Sequence, residues 1–258
     1  MNTLENDFWA SLPLGRGVQL LTHDAPGMVA LAKPAGVLAH PNTAADQPRA
    51  LLTARYALDG EFYEWTPSGA PAPVRLWLLN RLDSATSGVI LAAANEPLAR
   101  EVRAQFRRKQ VRKTYNALVF GRPKVPRQVW HDRLMIEKHG GQVRTSGAGN
   151  IPCESHMQIL HRVEGPPALS LLQLEPRTGR SHQLRVQCAM RHLPIVGDAT
   201  YGDFGRNREF AKACGSKRLF LHSLATRFEY EFAGRTHAFA AEAPLPAEFT
   251  AALAVGRA

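Results

Sequence analysis

The sequence predicts an α+β fold, on three observations. Short apolar runs suited to buried strands predominate, helical periodicity intervenes at irregular intervals, and no internal repeat or regular strand–helix alternation runs along the chain. The 258 residues are 45% apolar and 21% charged, a globular composition long enough for a sizeable core. No linker separates two composition regimes. Residues 28–258 are therefore expected as a single domain behind an N-terminal extension, residues 1–27.

Each element has its own signal. Met28–Ala32 is an apolar run stopped by Lys33-Pro34-Ala35-Gly36, where Pro34 fixes its φ and biases Lys33 to extended backbone: strand, then turn. Leu51, Leu52, Arg55 and Tyr56 recur near helical spacing and predict a helix over Pro48–Leu58. Thr66–Pro73 is a Pro/Gly-rich loop. Val74–Leu82 and Val89–Ala93 read as buried strands around the polar turn Asp83–Gly88. Asn95 is a candidate cap, with Glu96 and Pro97 in the first turn and Leu98, Val102 and Phe106 on one face. Thr114–Phe120 alternates as a strand; from Gly121 to Pro167 the signals weaken to a hairpin at Gly140-Gly141 and an excursion over Gly147–Asn150. Ala168–Glu175 is a strand, Arg177–Arg180 a turn, and Ser181 caps a helix to about Met190. Leu219–Leu224 and Arg227–Phe232 are strands, and Pro246–Leu253 closes as a helix.

Charge and cysteine usage narrow the function classes. There are 32 Lys+Arg against 22 Asp+Glu, a net charge of +10. Between Arg100 and Lys113 seven cations face Glu101 alone; Arg100, Arg103 and Arg107 share one helical face and are expected to contact phosphates of a nucleic acid. No apolar run of membrane-spanning length occurs, and the N-terminal residues lack the pattern of a secretory signal. Three cysteines without a C-x-x-C fit the reducing cytoplasm better than a disulfide framework or a zinc finger. Phosphate-binding, dinucleotide, zinc-protease and nucleophile-elbow motifs are absent, and no histidine pair has metal-ligand spacing.

Two segments hold the candidate chemistry. Asp83, beside Arg81 and before Ser84-Ala-Thr-Ser-Gly88, reads alone as an Asx-turn. Arg177-Thr-Gly-Arg180 with Ser181-His-Gln-Leu-Arg185 fits a helix entry with surface arginines as well as it fits an anion site.

Together with four further segments they resemble one family, the RluA-type RNA pseudouridine synthases. The match runs through Lys33-Pro-Ala-Gly-Val37, Asn80-Arg-Leu-Asp-Ser-Ala-Thr-Ser-Gly88, Lys113-Thr-Tyr115 and Arg177-Thr-Gly-Arg-Ser-His-Gln-Leu-Arg185. Pro194-Ile-Val-Gly-Asp198 with Tyr201-Gly202, and Leu221-His222, complete the order. The resemblance implies an isomerase of uridine in tRNA or ribosomal RNA. Its fold would be a mixed, mostly antiparallel sheet bent around a central basic cleft, with flanking helices. It implies Asp83 as nucleophile, Arg81 holding the flipped nucleotide, Tyr115 stacking on uracil and aiding proton removal, Arg185 as the cation beside Asp83, and Leu221 packing on the base. RNA is the expected partner, with no cofactor, no metal, no membrane and a monomeric chain. No separate N-terminal RNA-binding domain is expected before Lys33. Position 80 is Asn where the family commonly has His, and Gln187 stands where a His often follows. The alternatives are a catalytically silent RNA-binding protein of the same fold and a hydrolase pairing Asp83 with a histidine such as His182.

Overall fold

The computed structural model of the protein describes residues 8–139 and 142–255. In chain order these form β1 (Gln19–His23), β2 (Met28–Lys33), β3 (Arg55–Ala57), β4 (Phe62–Trp65), β5 (Val74–Leu78), β6 (Ser87–Ala93), α1 (Glu96–Arg107) and β7 (Arg112–Phe120). There follow β8 (Arg127–His139), β9 (Gln142–Gly147), β10 (Ile151–Val163), β11 (Leu169–Pro176), α2 (Gln183–Met190), α3 (Phe204–Cys214), β12 (Leu221–Phe232), β13 (Arg235–Glu242) and α4 (Ala247–Val255). Every strand pair with a described register is antiparallel, so the α+β expectation holds. The chain gathers into two compact units: residues up to Val111 with Arg227–Ala243, and Arg112–Thr226 with the residues from Pro244 on.

In the first unit β6 pairs with β2 along its length and with the end of β5. Both are apolar throughout because both faces are covered. Val29, Leu31, Ile90 and Ala92 pack with Trp9, Leu12, Val18, Leu51 and Leu52; Met28, Ala30, Val89 and Leu91 pack with Leu98 and Val102 of α1 and with Phe228, Tyr230 and Phe239. Residues before 28, expected as an extension, thus contribute core from Trp9 onward and supply β1. Helix α1 begins as expected: Asn95 Oδ1 accepts the Leu98 N–H at 3.0 Å.

The expected helix over Pro48–Leu58 is absent. A 3₁₀ turn over Ala44–Arg49 encloses Pro48, after which Ala50 and Leu52 bridge Leu38 and Leu14 and the chain enters β3. Ala50, Leu51 and Leu52 are all buried, so successive side chains enter the core, which one face of a helix cannot arrange. The strand from Val74 ends at Leu78 instead of Leu82.

The second unit orders its strands β12-β7-β11-β10-β8-β9. The weakly signalled stretch after Gly121 contains its two longest strands, β8 and β10. The expected Gly140-Gly141 turn lies outside the described residues, between the paired His139 and Gln142. On one sheet face Leu118, Phe120, Leu169 and Leu171 pack with Phe210 of α3 and Phe249 of α4. Helix α2 is preceded by His182 in the left-handed region (φ 54°) without a side-chain capping bond, so Ser181 is not its cap. Among the described residues no helix is long and apolar enough to cross a membrane, and no group of three His, Cys, Asp or Glu is disposed to hold a metal.

Candidate active site

In the first unit the chain leaves β5 without leaving β6. The Leu79 N–H donates to Leu91 O at 3.0 Å, and Asn80 Oδ1 accepts the Leu91 N–H at 2.7 Å, a side chain standing in for the backbone acceptor. Asn80 is thus a structural link at the position where the family commonly has His. Arg81 then points outward and is exposed, Leu82 is buried, and Asp83 is half-buried. Asp83 O accepts the Thr86 N–H at 3.0 Å, closing a turn whose far side, Thr86 and Ser87, is buried. Because residues 79–83 are not strand, the shared face expected for Arg81 and Asp83 has no strand pairing to impose it.

That turn is braced from β2. Lys33 is 1% exposed, and its ammonium donates to Val37 O at 2.7 Å, Ser84 O at 3.0 Å and Pro34 O at 3.1 Å. The Gly36 N–H also donates to Ser84 O, at 2.7 Å, from a glycine at φ 89°. The residue following Asp83 is therefore held by two donors from the Lys33–Val37 segment. Beyond it, His40 stacks on Tyr56 at 4.9 Å. Burial and then Glu61 raise the Tyr56 phenol to about 12, against the charges of Arg81 and Arg103.

In the second unit Tyr115 lies on β7 opposite Leu174 of β11, half-buried. The turn after β11 is fixed by Gln183: its Oε1 accepts from Thr178 Oγ1 at 2.8 Å and the Arg180 N–H at 3.1 Å, and its Nε2 donates to Glu154 O and Ser155 Oγ, both at 3.0 Å. Two residues on, Arg185 is bidentate to Asp198, Nε to Oδ2 and Nη2 to Oδ1, each at 2.8 Å. Asp198 also accepts the Thr200 and Tyr201 N–H groups, and the Tyr201 ring lies 5.0 Å from the Arg185 guanidinium carbon. Burial pushes the Asp198 carboxyl up, but the Arg185 hydrogen bonds and charge, with the two backbone donors, hold it below the ordinary carboxylate value. Gln187, fully buried, accepts from Ser155 Oγ at 2.7 Å and donates to Asp132 Oδ2 at 2.7 Å, and Arg191 pairs with the same Asp132. Leu221, at the start of β12, is buried.

A family model described as RNA pseudouridylate synthase matches residues 27–190, which include Asp83, Tyr115 and Arg185. The chain belongs to this family. Curated relatives include tRNA pseudouridine synthase C of Yersinia pestis, 38% identical over 159 residues, covering 57% of this chain and 61% of that protein. The ribosomal large subunit pseudouridine synthase C of Vibrio parahaemolyticus is 37% identical over 155 residues, 60% of this chain and 48% of that protein. The match thus spans only about half to three fifths of these two relatives' lengths. With tRNA pseudouridine synthase C of Haemophilus ducreyi the match is longer, 31% identical over 216 residues, 79% of this chain and 82% of the relative. Among solved structures, human RNA Pseudouridylate Synthase Domain Containing 4 superposes with a TM-score of 0.66 at 22% identity, over 99% of this chain and 98% of the other, which establishes the pseudouridine synthase fold.

Within this fold the expected residues divide by what already occupies them. Arg103 is not available as a surface cation: its guanidinium donates to Leu78 O at 2.8 Å and Glu61 O at 3.3 Å, pairs with the Glu61 carboxylate at 3.3 Å, and is 21% exposed. Two exposed neighbours differ: Arg100 keeps only a 3.7 Å contact with Glu96, and Arg107 continues into exposed Arg108 and Lys109. Asp198, Gln183 and Asn80 fall inside the motif segments quoted from the sequence, but their roles as supports were not read there. Asn80 reaches Leu91, Gln183 reaches Glu154 and Ser155, and Asp198 is reached by Arg185, contacts that the sequence pattern does not display.

Proposed function

We propose that the protein is an RNA pseudouridine synthase that isomerises specific uridines in structured tRNA or ribosomal RNA. The observation that carries this reading is the braced Asp83 turn, a half-exposed carboxylate in a family-matched segment. The reaction breaks the bond between ribose C1′ and uracil N1, turns the base, forms the C1′–C5 bond, and moves the C5 proton away while N1 gains one. Atoms and redox state balance without a cofactor. Before it, the uridine leaves its stack at a cost of roughly a few kcal/mol. Arg81, exposed beside the turn, holds the flipped conformation. Asp83 is the nucleophile, Arg185 is the cation of the catalytic set, and Asp198 positions Arg185. Tyr115 stacks on the uracil and assists removal of the C5 proton, and Leu221 packs on the base. Relatives named for tRNA and for ribosomal RNA both support the reading, so the substrate class stays at structured RNA of either kind.

The test is tritium release from transcribed tRNA and ribosomal RNA carrying 5-tritiated uridine, with nucleoside analysis of the product. Wild type is expected to form pseudouridine, and Asp83→Asn to fall below detection while binding RNA and folding as wild type does. Asn keeps the size and hydrogen-bonding groups but lacks the nucleophilic anion. Turnover in Asp83→Asn sinks the assignment of the nucleophile; RNA binding without any turnover in wild type favours a silent binding protein instead.

A further inference from the structure

Lys113 lies two residues before Tyr115 on β7 and so shares its face of the sheet. Its side chain is half-buried, yet among the described residues its ammonium has neither an ion-pair nor a hydrogen-bond partner. Among the described residues, other inward-turned cations have partners: Arg185 has Asp198, Arg191 has Asp132, Arg103 has Glu61, Arg218 has Glu248, and Lys33 has three carbonyl oxygens. The Lys113 amine lies against the turn between β11 and α2, with Nζ 3.7 Å from where a Cβ on Gly179 would stand. A desolvated cation without a counter-charge is unfavourable in the free protein. A ligand that brings the missing negative charge relieves that cost.

We propose that Lys113 is a phosphate-binding residue, receiving a phosphodiester of the substrate RNA beside the Arg177–Arg180 turn. This rests on the RNA-modifying reading only for the identity of the ligand. The half-exposed Arg177 and the exposed Arg180 add positive charge to the same turn. The other titratable or charged groups on the elements around Lys113 are Arg112 and Tyr115 on β7, Glu175 on β11, Arg185 and Cys188 on α2, and His222, Arg227, Glu229, Tyr230 and Glu231 on β12. Burial alone lowers the Lys113 amine to about 8. It is therefore charged at pH 7 and largely neutral at pH 9, and phosphate binding favours the protonated form.

The experiment measures affinity for transcribed, unmodified tRNA and ribosomal RNA at fixed salt, from pH 7 to pH 9, for wild type, Lys113→Met and Lys113→Arg. Wild type is expected to lose up to about tenfold in affinity across this range as the amine loses its proton. Lys113→Met should bind up to about tenfold more weakly at pH 7, with that part of the pH dependence gone and no loss of thermal stability. Lys113→Arg should bind well and stay flat, because guanidinium keeps its charge. Unchanged affinity in Lys113→Met, a persisting pH dependence in Lys113→Arg, or a melting temperature that falls with the affinity of Lys113→Met each overturns the proposal. Failure of the enzymatic reading appears separately, as bound RNA in which wild type makes no pseudouridine.

Discussion

At the scale of single residues, the buried Lys33 ammonium does for the Asp83 turn what a backbone ladder does for a strand. It donates to three partly buried carbonyls, one of them 51 residues away on the residue next to Asp83. Hydrogen bonds from a charged donor contribute about 1.5–3 kcal/mol each, and orphaned buried acceptors cost about 1–3 kcal/mol. Lys33→Met keeps the aliphatic stem and removes all three bonds. It is expected to lower stability by about 3 kcal/mol or more in urea denaturation. Lys33→Arg should not rescue it, because a planar fork does not address three carbonyls converging on one point. An unchanged urea midpoint in Lys33→Met would mean that the turn holds itself. The sequence motif Lys33-Pro-Ala-Gly-Val37 marked a turn, but not its partner, because a contact across 51 residues leaves no local pattern.

At the scale of elements, legibility followed how many faces each segment buries. β2, β6 and α1 were readable because their apolar residues match a strand buried on both faces or a single helical stripe. The segment around Leu51 and Leu52 was misread because its spacing near Tyr56 mimics a helix while its neighbours bury together. Helix α3 was missed because Phe210 is its one buried residue, so no apolar period announces it; Asp203, whose Oδ1 accepts the Arg206 N–H, and Gly215 at φ 72° were its only signals. Helix α2 is held by polar partners as well as by the packing of Val186 on Leu134 and Cys153, and its Arg185–Asp198 pair makes a pH prediction. Folding lowers the Asp198 pKa, so its stabilisation is complete above the unfolded carboxylate value of about 3.9 and is lost as pH falls through the folded value. Asp198→Asn leaves Arg185 without its carboxylate and is expected to cost about 3–5 kcal/mol at pH 7. The gap to wild type should close as pH falls below about 4, since wild type then loses the same anion. Denaturant titrations of both proteins between pH 7 and pH 3 check this; a gap independent of pH contradicts it.

At the scale of the whole molecule, a net charge of +10 says that a polyanion is attracted but not where it lies. The structure changes how the basic helix α1 enters that question. Periodicity placed Arg100, Arg103 and Arg107 on one face, yet Arg103 is drawn onto the Leu78 and Glu61 carbonyls by a contact no helical wheel contains. The cations still open to solvent are Arg100 at the middle of the helix and Arg107 and Arg108 at its end. If these neutralise RNA phosphates, each lost contact removes about 0.7–0.9 from the slope of log affinity against log salt. Replacing Arg100, Arg107 and Arg108 by Gln should therefore flatten that slope by up to about 2–3, with little change in stability, since exposed charges of this kind add ~0–1 kcal/mol. Arg103→Gln should do the reverse, lowering stability through the lost charged donor to the Leu78 and Glu61 carbonyls and the lost Glu61 ion pair, while leaving the slope as it was. Affinity for transcribed tRNA at several salt concentrations, with denaturation of the same variants, separates the two effects. An unchanged slope in the triple variant removes α1 from the RNA path and leaves its arginines as a solvated face. A flattened slope in Arg103→Gln would show that its carbonyl contacts yield to phosphate.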